Sequence, residues 1–212
     1  SRENLEGQLI TEALNYQLDG INIDIESLPE ETSESYVQFM RELSVKCRNN
    51  NLVLSVDVPP PYSFNEHYSQ KELGEVVDYV IIMGYDEHYV GSDAGSVASL
   101  SYERDGITGT LENVPKEKII SGIPFYTRLW KTNASGEVSS EAIGMDKADQ
   151  ILSDYKVTAG WSSETSQDYA EFTDEDGNFC QIWLEKRSID RREDETCAGI
   201  WPGRSGRVEA WI

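Results

Sequence analysis

The chain has 212 residues, enough for one domain or for part of a larger one. Its formal charge of -21 argues against nucleic acid, whose affinity rests on neutralised phosphates, and it disfavours an anionic membrane. Three cysteines (Cys47, Cys180, Cys197) form neither a CxxC pair nor a spaced metal set, and no apolar run approaches the ~20 residues of a membrane span.

Leu5, Leu9, Ala13 and Tyr16 recur near helical spacing, so residues 5–16 are expected to be a helix. "DGINIDIE" (19–26) follows and alternates as a strand does: Ile21, Ile23 and Ile25 on one face, Asn22, Asp24 and Glu26 on the other. Two carboxylates crowded on one face, and partly buried, raise the pKa of at least one of them. Next, Tyr36, Phe39, Met40 and Leu43 form a helical stripe behind an N-capping Thr32 or Ser33. "LVLSVDV" (52–58) is β-rich and stops at three prolines. A short helix around "SQKELGEVV", an apolar strand over 78–86, a glycine-interrupted helix over 101–114 and another apolar strand over 118–130 complete the first part. Apolar strands alternating with helices predict a parallel sheet covered by helices. After residue 140 the pattern changes. Residues 142–155 read as helix, while 168–173 and 178–184 read as a hairpin turning at Asp176-Gly177. "CAGIWPG" (197–203) is a last strand candidate.

The acids at 19–26 resemble the D-G-x-D-x-D-x-E signature of family 18 glycoside hydrolases, the chitinases and related N-acetylglucosaminidases. "MGYDEHY" resembles the family's M-x-Y-D strand, and "GIPFYTR" its G-x-P-x-Y-G-R strand, with Thr127 where glycine is usual. "YAEFTDEDGNFCQIWLE" is similar to the small insertion before the last barrel strand. The nearest subgroup resembles bacterial spore-germination and cortex-lytic enzymes, in which asparagine often stands at the middle acid, as Asn22 does here.

That resemblance implies an α/β fold of the (β/α)₈ TIM-barrel type, with the site at the C-terminal strand ends. The signature strand is the family's fourth, yet here it follows a single helix. A complete barrel runs to about 250 residues. The expectation is therefore a C-terminal partial barrel, fourth to eighth strands, over residues 1–212, with an antiparallel α+β insertion at about 131–187. Open sheet edges would then favour self-association.

It also implies substrate-assisted, retaining hydrolysis, the exception to two-carboxylate glycosidase chemistry. Glu26 would be the general acid, Asp24 would orient the sugar's 2-acetamido group, and Tyr85 would donate to the acetamide oxygen. Asn22, Met83, Asp86, Tyr126, Arg128 and Trp201 would contact substrate. No cofactor and no metal are implied; the partner is a glycan of 2-acetamido sugars, chitin-like or peptidoglycan, met outside the cell or at a bacterial wall or spore. Alternatives stay open. Taken alone, D-x-D-x-E suits a hard cation as well, and a chain missing three strands could be a non-hydrolytic sugar binder or an inactive piece. Asp19 reads as a structural acceptor, His88 as a loop residue and Trp183 as core. "DEDG" at 174–177 reads as a turn, without the rest of a calcium loop.

Overall fold

The computed structural model describes residues 1–185, which divide into two compact units. The first comprises Ser1–Met83 and Asp105–Gly122. In chain order it contains α1 (Arg2–Asn15), β1 (Gly20–Ile23), α2 (Ser33–Asn49), β2 (Val53–Val58), α3 (Gln70–Val76), β3 (Tyr79–Met83), the greater part of α4 (Leu100–Leu111) and β4 (Ile119–Gly122). The four strands pair in parallel in the order β1-β2-β3-β4, the sheet the alternating pattern predicts. One sheet face buries Ile23, Leu54, Val56, Val58, Val80, Ile82 and Ile119 in a core shared with Met40, Leu43 and Leu73 of the helices. Their partners in alternation, Asn22, Ser55, Asp57, Ile81 and Met83, lie on the other face and are half-buried or exposed.

Glycine is required at two points here. A Cβ on Gly20 would stand 2.5 Å from the Val53 carbonyl oxygen, so the "DG" step lets β1 approach β2. In α4 a Cβ on Gly109 would meet Pro61 Cγ at 2.8 Å. The glycines that weaken this helix in the sequence make room for the prolines ending β2.

The second unit comprises Gly84–Arg104 and the residues from Ile123 onward. Its sheet is antiparallel, in the order β6-β5-β9-β8-β7. These strands are β5 (Tyr126–Thr132), β6 (Val138–Gly144), β7 (Gly160–Ser162), β8 (Gln167–Thr173) and β9 (Phe179–Leu184), with α5 (Met145–Asp154) between β6 and β7. Leu129, Ile143, Ala148, Leu152, Ala170, Cys180, Ile182 and Leu184 form the core of this unit.

Three expectations are corrected. Residues 118–130 are two strands: β4 pairs with β3, whereas β5 pairs with β6 and β9. The break falls around Pro124, whose missing N–H cannot serve a ladder. The helix expected over 142–155 begins at Met145, because Ala142, Ile143 and Gly144 pair with β5. The strand expected over 19–26 stops at Ile23, leaving Ile25 exposed instead of in the buried row. The 197–203 strand candidate lies outside the described residues.

Candidate active site

The parallel sheet sets the geometry of the acids. Asp24 and Glu26 follow the last paired residue of β1, so they emerge at its C-terminal end, and both are exposed. Ser27 takes φ 52° and turns the chain away directly after Glu26. The partial burial expected for these two acids is therefore absent. The half-buried carboxyl of this face belongs to Asp57, a lone acid in "LVLSVDV" with no motif around it to single it out.

Asn22 lies between its neighbours on β2. Its Nδ2 donates to Asp57 Oδ2 at 2.8 Å, and its Oδ1 accepts from Ser55 Oγ at 2.7 Å. Burial pushes the Asp57 carboxyl above the ordinary aspartate range; the bond from Asn22 opposes this, and the charges of Asp24 and Glu26 add to it. Tyr36 of α2 feels the same region. Burial raises its phenol strongly, and Tyr68, Asp57 and Asp24 raise it further, so Tyr36 stays neutral. Tyr68 accepts from the Leu28 amide at 3.2 Å and donates to the Ile25 carbonyl at 3.4 Å, fixing the turn after the acids. Asp19 is exposed; its backbone carbonyl accepts from Val53 N. Met83 ends β3, half-buried on the same face.

Tyr85, Asp86, Tyr126 and Arg128 belong to the second unit. Tyr126 Oη donates to Asp86 Oδ1 at 2.6 Å, and Arg128 approaches the same oxygen at 3.8 Å. Burial first, and then the bond to Asp86, hold the Tyr126 phenol well above its usual range. Tyr85 meets Tyr126 edge-to-face at 6.4 Å. Arg128 is buried, donates to Ser140 Oγ at 3.3 Å, and its Nε has no partner among the described residues. Asp86, beyond the end of β3, has φ 58°, a left-handed bend of the backbone. Thr127 donates its hydroxyl to the Trp183 carbonyl, which ties β5 to β9. Trp130, fully buried, donates Nε1–H to the Gly95 carbonyl at 2.9 Å, and His88 packs against Gly95, so both anchor the loop after Asp86. Trp183 packs half-buried against Tyr169. Trp201 lies outside the described residues. Among the described residues no three His, Cys, Asp or Glu side chains converge to hold a metal ion.

The family model of Glycosyl hydrolases family 18 matches residues 1–192. The chain belongs to this family. Among family members, YdhD of Bacillus subtilis, named as a sporulation-specific glycosylase, is 28% identical over 197 residues, covering 91% of this chain and 47% of that protein. A crystal structure of YdhD superposes with a TM-score of 0.85 at 28% identity, over 90% of this chain and 65% of that one. The cortical fragment-lytic enzyme of Bacillus subtilis is 25% identical over 89% of this chain and 46% of its own length. Chitinase 1 of Aphanocladium album is 26% identical over 68% of this chain and 39% of that enzyme. The chain thus spans about half the length, or less, of these curated relatives. Family 18 membership gives it a TIM-barrel type of fold, of which the described residues contain a four-stranded parallel sheet and an antiparallel sheet.

Proposed function

We propose that the chain is the catalytic part of a retaining glycoside hydrolase that cleaves β-linked N-acetylglucosamine glycan, chitin-like or peptidoglycan, with help from the substrate's own acetamido group. The observation carrying this reading is the exit of Asp24 and Glu26, exposed, from the C-terminal end of β1, where barrel enzymes keep their chemistry. Glu26 donates a proton to the glycosidic oxygen while the 2-acetamido oxygen attacks the anomeric carbon from the opposite face. The C1–O bond breaks, the leaving sugar takes the proton, and a positively charged oxazolinium ring forms. Asp24 accepts the acetamide N–H and offsets that charge. Tyr85 donates to the acetamide oxygen. Glu26, now a carboxylate, takes a proton from water, which opens the ring with a second inversion, so the configuration is retained. Asn22, Met83, Asp86, Tyr126 and Arg128 are the candidate sugar contacts that the family resemblance implies, as is Trp201, outside the described residues.

The relatives named for sporulation and cortex lysis support a bacterial wall or spore glycan as substrate. The test is hydrolysis of chitin oligosaccharides and cortex peptidoglycan fragments, with the anomer of the first product read by NMR. The expected product is the β-anomer, and the N-deacetylated substrate should not react. Equal turnover of acetylated and deacetylated substrates, or an inverted product, would overturn the mechanism. Binding with no turnover would leave a sugar-binding protein.

A further inference from the structure

We infer that Asp57 is a positioning residue of this site: it orients Asn22 and adds a third carboxyl to the sheet face that presents Asp24 and Glu26, so that it governs how that face holds protons. This inference rests on the hydrolase reading only for its kinetic consequence. Its geometry stands without it. The ladder pairs Asn22 with Ser55 and Ile23 with Val56. Asp24 comes directly after this ladder, and its charge reaches Asp57.

Asp57 uses one oxygen and leaves the other free. Oδ2 accepts from Asn22 Nδ2, whereas Oδ1 is buried with no hydrogen-bond partner among the described residues. A buried, unpartnered carboxylate oxygen is costly, and a proton placed there removes the cost. The surroundings act in the same direction. Asp24 and Glu26 are the charges that face it beyond β1, and Tyr36 of α2 is the neutral phenol near it. Its partner on β3 is Ile81, which adds no charge. Asp57 therefore gains its negative charge later than an ordinary aspartate as pH rises. Once ionised, it opposes loss of a further proton from the cluster and favours a cationic intermediate beside it.

The first test is a carbon-13 NMR titration of the side-chain carboxyls in the unmodified chain, in Asp24→Asn and in Glu26→Gln. Asp57 should titrate above exposed aspartates and move to lower pH in both variants. Titration at the exposed-aspartate value, unmoved by either change, overturns the inference whether or not the chain hydrolyses anything. The second test compares Asp57→Asn with Asp57→Ala on an aryl β-N-acetylglucosaminide. Asparagine preserves the acceptor for Asn22, so melting temperature and KM should hold while the alkaline limb of the pH–rate profile moves to lower pH. Alanine also releases Asn22 and should lower kcat by about 10- to 100-fold, the scale of a misplaced catalytic group. A profile for Asp57→Asn superimposable on the unmodified chain's would overturn the inference and reduce Asp57 to a structural residue. If no form turns over the aryl glycoside, the hydrolase reading fails, and the titration alone decides the role of Asp57.

Discussion

Glu26→Gln removes a proton donor with little change in shape, so turnover should fall by about 10²–10⁴-fold, the usual contribution of general acid–base catalysis. Sugar binding, measured by calorimetry on chitin oligosaccharides, should be nearly unchanged. A variant keeping more than a tenth of the activity would show that another group carries the proton. Neither Asp24 nor Glu26 needs a cation in this scheme, so activity should survive EDTA. Loss with chelator and recovery with Mg²⁺ would revive the hard-cation reading of the acids. At this scale the sequence was legible where it matched a motif. Asn22 lies on β1 and Asp24 and Glu26 follow its end, Tyr85 and Asp86 belong to the second unit, and Trp201 lies outside the described residues. Asp57 was not legible. One acid in "LVLSVDV" reads as ordinary alternation, and only the register places it beside Asn22.

Elements were legible by periodicity and misread where one apolar run served two sheets. Residues 118–130 read as one apolar run in spite of Ser121, Thr127 and Arg128, and their hydrophobicity alone does not reveal that Ile119–Gly122 and Tyr126–Thr132 take different partners. The glycines of α4 misled in the opposite sense, because their reason is the nearby Pro60 and Pro61 and not a turn. The same spacing argument makes Gly20→Ala a test of the β1–β2 ladder. The new methyl would meet Val53 O at 2.5 Å, and the strand must shift, at a cost of roughly 1–3 kcal/mol, as overpacking does. Unchanged stability in urea unfolding would show that the strands already have slack.

The β8–β9 hairpin has its own device. Asp174 accepts from the Asn178 side chain at 3.0 Å, from Lys131 at 2.9 Å and from the backbone amides of Asp176 and Asn178. These donors, Asn178 first and then Lys131, hold its carboxyl well below the usual range. A depressed folded value means that the stabilisation is fully present above the unfolded aspartate value of about 3.9 and is lost as pH falls below it. Asp174→Ala should therefore lower the melting temperature at pH 7 and flatten its acid dependence. Equal acid dependence in both forms would assign the acid loss to other carboxylates.

For the whole chain, two opposing terms meet. Among the described residues β1 is an edge strand, laddered only to β2, and Leu5, Leu14, Tyr16 and Leu18 are exposed on or just after the neighbouring α1. An unpaired ladder and exposed apolar side chains both favour contact with a second copy. The charge of -21 opposes it, because two copies repel at long range. Salt separates these terms: the Debye length shrinks from about 30 Å at 0.01 M to about 10 Å at 0.1 M, while backbone pairing and apolar burial are little screened. We expect the 212-residue chain to be monomeric at low ionic strength and to self-associate as salt is added. Replacing Leu14 and Leu18 with lysine should suppress the association without altering the fold, since both side chains are about half exposed, at 48% and 53%. Light scattering across a salt series, with circular dichroism as the control for folding, reads this directly. A monomer at every salt concentration would overturn the expectation that the β1 edge and these apolar side chains drive contact.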